Sequence, residues 1–196
     1  MLCERVSSGN TYLYLERYPN RVIAHYTAGE VAAVEVESSP NQRCCDVLVR
    51  YRSGEHFRWG SELVSLSAFS LYGIAISADG AFLFAQQDRG SLMCLELRTG
   101  GVVWKTQSKS VYSHIYVNRD TICCAKGKGE IQLIEIASGK VLVSHKVSCS
   151  NRFEVLDENT IINQSFSKRW EVLNPATLEV VESISLRDVD QKHRTR

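Results

Sequence analysis

The chain has 196 residues, of which 44% are hydrophobic and 23% are charged, and its formal net charge is +1. Its length is sufficient for one domain with a buried core, and a charge this close to zero selects no nucleic acid or anionic surface by bulk attraction. No apolar run approaches the roughly 18 residues of a membrane span, and the first six residues (MLCERV) lack the apolar core of a secretory signal. We therefore expect a cytoplasmic globular protein with no membrane partner.

The first 72 residues alternate short apolar segments with turn residues, which is typical of β-hairpins. Five segments have this pattern: Thr11–Arg17, Arg21–Tyr26, Val31–Glu37, Cys45–Tyr51 and Glu55–Trp59. Turns are predicted at Pro19-Asn20 and at Ser53-Gly54. Residues 61–72 fit either a strand or a short helix, and both interpretations stay open.

Residues 73–184 contain three copies of a unit that repeats every 39 residues. Residues 88–100 (DRGSLMCLELRTG) align without a gap with residues 127–139 (GKGEIQLIEIASG), and a weaker copy covers residues 167–178 (SKRWEVLNPATL). Each copy contains four predicted strands, beginning near residues 73, 114 and 153. Seven apolar side chains of the third strands recur at matching offsets and are predicted to be buried: Leu92, Leu95, Leu97, Ile131, Ile134, Ile136 and Leu173.

A period near 40 residues made of short strands and tight turns is typical of propeller blades, because such a unit buries its faces only against its neighbours. We therefore predict an all-β, β-propeller-like fold of four to five short blades, with a period of about 39 residues. Residues 1–186 are predicted to form a single domain in which residues 1–72 supply degenerate blades. Residues 187–196 are predicted to be a polar tail.

Residues 90–104 (GSLMCLELRTGGVVW) resemble the repeat of quinoprotein-type propellers, which places the chain near the quinoprotein-like and WD-repeat propellers. Trp104 has Val143 and Glu182 at the matching positions of the later copies, and the chain contains no Trp-Asp dipeptide. Since quinoprotein dehydrogenases are far longer than this chain, the resemblance implies the fold and no chemistry.

The sequence contains no motif that predicts a catalytic, cofactor or metal site. There is no Gly-x-Ser-x-Gly nucleophile turn, and Gly127-Lys128-Gly129 leads into a strand where a phosphate-binding loop would lead into a helix. The seven cysteines include two adjacent pairs, Cys44-Cys45 and Cys123-Cys124, whose side chains point to opposite faces of a strand. We predict reduced, buried cysteines, no metal and no cofactor.

Glu96 and Glu135 occupy matching repeat positions at the ends of two predicted strands. A position that recurs in every repeat is a poor place for a unique catalytic group. We therefore predict that both carboxylates accept hydrogen bonds from the turn that follows them.

Charged residues segregate between the two sets of predicted turns. Turns that join first to second strands carry one cation, Arg119, and four carboxylates: Asp79, Asp120, Asp157 and Glu158. Loops at the opposite end of the strands are basic, and the candidates among them are Arg89, Lys126, Lys128, Lys168 and Arg169. A chain with almost no net charge is thus predicted to have one acidic and one basic face.

The leading functional hypothesis is a non-catalytic protein-binding module that occludes its partner, since a rigid propeller with variable turns offers a preorganised surface. Its most concrete form is an inhibitor or a toxin-immunity protein whose acidic face covers a basic toxin or nuclease. One alternative is binding of nucleic acid or of an acidic partner through the basic face, although Phe166 is the main aromatic residue in those loops. Another alternative is a scaffold or adaptor propeller.

Overall fold

A computed structural model describes residues 2–8, 11–38, 44–64, 66, 74–86, 90–106, 112–127, 129–147, 150–157, 160–165 and 169–185. These residues form eighteen β-strands in four antiparallel sheets, and within each sheet every strand pairs with its neighbours in chain order. No helix in this part of the chain has the length and apolar character needed to cross a membrane.

Sheet A comes first and has six strands. These are β1 (Leu2–Ser8), β2 (Thr11–Arg17), β3 (Arg21–Tyr26), β4 (Val31–Ser38), β5 (Cys45–Tyr51) and β6 (His56–Ser61). The next two sheets have four strands each. Sheet B comprises β7 (Ile74–Ile76), β8 (Phe82–Gln86), β9 (Leu92–Glu96) and β10 (Val102–Lys105). Sheet C comprises β11 (Tyr112–Val117), β12 (Thr121–Lys126), β13 (Glu130–Glu135) and β14 (Val141–Lys146).

Sheet D also has four strands, which complete the described fold. They are β15 (Ser150–Asp157), β16 (Thr160–Ser165), β17 (Arg169–Leu173) and β18 (Val180–Ser185). The predicted all-β fold is therefore confirmed, and the repeats of residues 73–184 correspond to sheets B, C and D. The blade number of a complete ring, the period and the boundary of a C-terminal tail stay predictions.

The segment before residue 73, predicted to supply degenerate blades, forms one sheet in its described residues. Its described strands form one continuous meander, because β3 pairs with both β2 and β4. The first strand, β1, has no predicted counterpart. Of residues 61–72, whose structure was left open, Ser61 ends β6, and residues 65 and 67–73 lie outside the described part of the chain.

The four sheets stack face to face, and each pair of neighbours shares one hydrophobic cluster. Met93, Leu95 and Leu97 of sheet B pack against sheet A, whereas Leu92 and Cys94 pack against sheet C. A third cluster joins sheet C to sheet D. All seven predicted core residues of the third strands are at most 8% exposed, so this prediction is confirmed.

The first strands of sheets B, C and D lie next to one another, because β11 contacts both β7 and β15. The fourth strands β10, β14 and β18 are the outer edges of these sheets. Such an arrangement, with first strands inside and fourth strands outside, is that of blades around a common axis.

Each of the three outer strands contains a break in register at the same repeat position. The breaks fall between Val102 and Trp104 in β10, between Val141 and Val143 in β14, and between Val180 and Glu182 in β18. The extra residues are Val103, Leu142 and Val181, which are 44%, 47% and 68% exposed. Each edge strand is therefore irregular in the same way.

Candidate protein-binding surface

The turn after each third strand is held by its own side chains. In sheet B the Thr99 hydroxyl donates to Glu96 Oε2 at 2.6 Å, and the Gly100 N–H donates to the Glu96 carbonyl at 2.8 Å. In sheet C the Ser138 hydroxyl donates to Glu135, and Gly139 N–H repeats the backbone bond at 2.9 Å. The prediction that the Glu96 and Glu135 carboxylates accept hydrogen bonds from the turns that follow them is confirmed.

A tryptophan from one sheet lies over the glycine of the next sheet's turn. Trp59 of β6 donates its indole N–H to the Leu97 carbonyl at 2.9 Å, and a Cβ added to Gly100 would lie 2.5 Å from its ring. Trp104 of β10 donates to the Ile136 carbonyl at 2.6 Å, and a Cβ on Gly139 would lie 2.6 Å from its ring. Both glycines also have positive φ angles, 73° and 70°, which side chains with a Cβ rarely adopt.

Sheets C and D meet without a tryptophan. Leu178 takes the repeat position of Gly100 and Gly139, keeps a positive φ of 56° and is fully buried. Its N–H donates to the Asn174 carbonyl at 2.7 Å, which is the same turn bond. Val143, at the position of Trp104, packs against the cluster that contains Leu178.

The turns of neighbouring sheets therefore align at one end of the molecule, which we call the turn end. It comprises the turns that join first to second and third to fourth strands in sheets B, C and D, together with the β3–β4 and β5–β6 turns of sheet A. Its described segments are residues 27–30, 52–55, 78–80, 98–101, 118–120, 137–140 and 174–179. Within sheets B and C the two kinds of turn are linked by bonds from Leu97 N–H to the Ala81 carbonyl at 2.8 Å and from Ile136 N–H to the Asp120 carbonyl at 2.9 Å.

Sheets A and B are joined at this end by polar and aromatic contacts. The Tyr51 hydroxyl donates to the Gly80 carbonyl at 2.8 Å, and burial raises the pKa of this phenol. The Arg98 guanidinium lies over the rings of Tyr51 and Phe57 and contacts Glu55 at 3.5 Å. These contacts fix the relative positions of the turns, as a preorganised surface requires.

Two of the predicted acidic residues lie exposed in this surface. Asp79 accepts hydrogen bonds from the Ser77 hydroxyl at 2.5 Å and from Ala81 N–H at 3.0 Å, while Asp120 lies in the turn between β11 and β12. Asp157 is the last residue of β15, so its backbone reaches the same end. Glu158 lies outside the described residues. The role of these four residues in binding stays a prediction.

Sequence reasoning considered only the turns between first and second strands, and the structure adds their neighbours. Glu30 and Glu55 from sheet A and Glu179 from sheet D are exposed at the turn end. Arg52, Arg98 and Lys140 are exposed there too, beside Arg119, which the sequence already placed in these turns. The turn end is therefore mixed in charge, with exposed carboxylates and exposed cations on neighbouring turns.

The predicted basic face falls mostly outside the described residues, namely at Arg89, Lys128 and Lys168. Arg169 begins β17 and only its backbone is described. Lys126 is half-buried and contacts Glu130 at 3.8 Å. Hydrogen bonds from Ser144 and Gln132 lower the pKa of Glu130, and the charges of Lys126 and Lys146 lower it further, although burial opposes them.

No group of three or more His, Cys, Asp or Glu residues in the described part of the chain could hold a metal ion. The cysteines whose side chains are described, at positions 44, 45, 94, 123 and 124, form no disulfide. Burial raises the pKa of the Cys94 thiol to about 12 and also raises those of Cys123 and Cys124. Buried thiols of this kind are poor nucleophiles.

A scan against protein families matches residues 48–187 to the family described as outer membrane protein assembly factor BamB. The chain belongs to this family. No curated protein sequence matches the chain.

Solved structures agree on the fold. BamB from Moraxella catarrhalis is 16% identical with a TM-score of 0.54, covering 94% of this chain and 50% of its own. Dihydro-heme d1 dehydrogenase NirN in complex with DHE is 12% identical with a TM-score of 0.58, covering 90% of this chain and 45% of its own.

A computationally designed protein, Ika8, is 15% identical with a TM-score of 0.52, and the match covers 87% of this chain and 60% of that chain. This chain thus spans about half the length of these structures. An assembly factor, a dehydrogenase and a designed protein share this fold. The structural similarity therefore supports a quinoprotein-like propeller architecture and assigns no activity.

Sequence reasoning missed Trp59 and Leu178 as contact residues between sheets. The signal for Trp59 was present, since Gly54 precedes it by five residues and Gly100 precedes Trp104 by four. Leu178 stands at the glycine position of the repeat, but nothing in one sequence distinguishes a buried leucine there from an exposed one.

Proposed function

We propose that this BamB-family chain is a non-catalytic protein-binding module that uses its turn end to cover part of a partner protein. The supporting observation is the fixed geometry of that end. The same hydrogen-bonded turn recurs in three sheets, and aromatic contacts tie it to the preceding sheet in two of them. Because the backbone of these turns is already ordered, it loses little conformational entropy on binding, which favours affinity.

The family match supports a protein partner in general. The family is named for an assembly factor of outer membrane proteins, and this chain has the same fold over half the length of one such structure. Basic groups on the contact surface of a partner fit the exposed Glu30, Asp79 and Asp120 of this end. Inhibition of a basic toxin or nuclease inside the cytoplasm is the narrowest form of this proposal.

The test is a charge reversal at the turn end, compared with a matched reversal at the other end. Asp79→Lys with Asp120→Lys changes the net charge by the same amount as Asp46→Lys with Glu62→Lys, whose carboxylates are exposed at the opposite end of sheet A. Proteins cross-linked to each tagged variant in its own cell are quantified by mass spectrometry. We expect the main basic partner to be lost from the first variant and retained by the second.

Equal recovery of every partner by both variants would remove the turn end from consideration. For nucleic acid, the alternative, the probe is a fluorescent oligonucleotide titrated at low and at moderate salt. Binding that is abolished by salt and by Lys126→Glu would favour the basic face instead.

A further inference from the structure

The outer edge of sheet A differs from the outer edges of the other three sheets. In the described part of the chain, β6 is the last strand of sheet A, as β10, β14 and β18 are of sheets B, C and D. Those three strands each contain a break in register, whereas β6 pairs with β5 without a break, from Ser61 opposite Cys45 to His56 opposite Arg50. A regular edge presents an unbroken row of backbone groups to which another strand can add.

The hydrogen-bond pattern between β5 and β6 identifies the backbone groups at this edge. The Tyr51 N–H donates to the Glu55 carbonyl at 2.9 Å, so these two residues form a hydrogen-bonded pair. Because hydrogen-bonded and non-hydrogen-bonded pairs alternate along an antiparallel ladder, every second residue after Glu55 bonds to β5. The N–H and C=O groups of the residues between them point away from β5. These residues are His56, Arg58 and Gly60, and all three are exposed.

The side chains on the outward face of this edge are basic. His56 and Arg58 lie on this face, and β6 itself contains no carboxylate. The Arg58 guanidinium contacts Asp46 of β5 at 3.1 Å, and the Arg58 side chain is still 63% exposed. A residue placed opposite Arg58 on an added strand would have its Cβ about 5 Å away, closer than the next strand but one. A carboxylate at that position would therefore pair with Arg58.

The other face of the same edge is apolar. The Phe57 side chain is half-buried there, with the Arg98 guanidinium 4.9 Å from its ring centre. Across from it on β10 of sheet B, Val102 stands opposite Leu95, whose side chain packs against sheet A. Because paired residues share one face of a sheet, Val102 also points to the sheet A side, and it is 48% exposed. An apolar side chain on an added strand would be shielded from water here.

We propose that the β6 edge binds an extended segment of another protein as an additional strand of sheet A. The acidic side chains of that segment lie beside His56 and Arg58, and its apolar side chains lie on the opposite face beside Phe57. An extended backbone is the group that matches N–H and C=O groups at every second residue, and side chains on its alternate positions supply the selectivity. The edge is separate from the carboxylates of the turn end, so neither proposal depends on the other.

A synthetic peptide with this alternation, Thr-Glu-Val-Glu-Val-Glu-Val-Thr with a fluorescent label, is the probe. Its binding to the purified full chain is followed by fluorescence anisotropy. Two further peptides carry N-methyl groups on the three glutamates or on the three valines, which removes one alternate set of N–H donors. One of these two peptides should bind at least tenfold more weakly, and the other should change less than about twofold. Equal effects of the two N-methylated peptides would show that the backbone is not recognised and would overturn the proposal.

Substitutions at one position separate the backbone from the side chain. Arg58→Pro removes an N–H that points away from β5 and should weaken binding of the probe at least tenfold. Arg58→Gln keeps that N–H and should weaken binding only about threefold, with a smaller dependence on salt because one ion pair is lost. Leu142→Arg, on the irregular edge of sheet C, is the control and should bind normally. Circular dichroism shows whether Arg58→Pro is folded, and the N-methylated peptides provide the readout if it is not.

Hydrogen exchange measured by NMR locates the bound peptide. In the free chain, the amides of His56, Arg58 and Gly60 should exchange faster than those of Phe57 and Trp59, which bond to β5. Saturation with the probe should slow the three faster amides at least tenfold. Protection confined to other strands, or no binding of the probe at about 1 mM, would overturn the proposal. A mass above 22.1 kDa for the chain alone, lowered by Arg58→Pro, would also overturn it, because a second copy would then occupy the edge.

Discussion

The contact between sheets C and D fills the same space as the contacts between sheets A and B and between sheets B and C, but the later sheet supplies the bulky side chain. Between A and B, and between B and C, a tryptophan of the earlier sheet covers a glycine of the later one. Between C and D, the earlier sheet offers Val143 and the later one fills the space with Leu178, which keeps the glycine-like φ of 56°. The interface therefore requires a filled volume between two backbones, and either partner can supply it.

The largest loss of stability is expected when a tryptophan is removed from a tryptophan–glycine contact between two sheets. Trp59→Ala takes away a ring that is 8% exposed and the hydrogen bond to the Leu97 carbonyl, and should cost about 3–5 kcal/mol. Urea unfolding measures the loss. Val103→Ala, on the exposed edge, is the control and should cost less than about 0.5 kcal/mol. Similar losses for both would mean that the ring contributes little to the contact.

A second experiment converts one kind of contact into the other. Gly139→Leu forces a Cβ into the Trp104 ring at a positive φ, and should cost about 2–4 kcal/mol. Adding Trp104→Val copies the pair found between sheets C and D. The double variant should recover at least about 1 kcal/mol relative to the sum of the single variants, as measured by a double-mutant cycle. Strict additivity would contradict the idea that the two positions act as a pair.

The reverse change at the last contact should have a smaller effect. Leu178→Gly loses a fully buried side chain, which alone would cost about 3–5 kcal/mol, but it relieves the positive φ and the net loss should be about 2 kcal/mol. The thermal midpoint reports the change. Leu173→Ala, equally buried but with ordinary backbone angles, is the matched comparison and should lose more.

The smallest expected effect concerns a charge difference between sheets C and D, namely the contribution of Glu130 to the pH dependence of stability. Glu130 of sheet C has Arg169 at the matching position of sheet D, and hydrogen bonds from Ser144 and Gln132 hold its pKa below the ordinary value. Its contribution to stability is therefore present at neutral pH and is lost as the pH falls through the lowered pKa. Glu130→Gln should flatten the dependence of stability on pH below about 4.5 by less than about 1 kcal/mol, since the group is partly exposed. An unchanged acid limb of the stability curve would contradict this assignment.

Much of the fold can be predicted from the sequence because the same pattern of strands and turns recurs in each repeat. The period, the turn residues and the alternation of Leu92 with Leu95 predict strands, turns and burial for sheets B, C and D. The length of sheet A was not predicted, because β1 has a mixed polar pattern (LCERVSS) without clear alternation. Whether the β2–β3 hairpin ends one sheet or continues into β4 depends on pairing across the chain, which local patterns do not specify.

The candidate surface was predicted less completely than the fold. The turn carboxylates Asp79 and Asp120 could be assigned to one end from topology alone. The cations beside them, Arg98 and Lys140, lie in the turns that join third to fourth strands. In a four-stranded meander these turns lie at the same end as the turns that join first to second strands. The exchange of a tryptophan for Leu178 depends on volumes contributed by two different sheets, so no single repeat reveals it.

The irregular outer strands bear on how the molecule behaves at high concentration. An edge strand normally exposes a regular row of N–H and C=O groups on which another chain can add a strand, and repeated addition leads to fibres. In β10, β14 and β18 the extra residue shifts that row out of step halfway along the strand. A neighbouring chain can then match only one half of each edge at a time. The outer edges of sheets B, C and D are thus poor templates for strand addition, even though Val103, Leu142 and Val181 expose apolar side chains there.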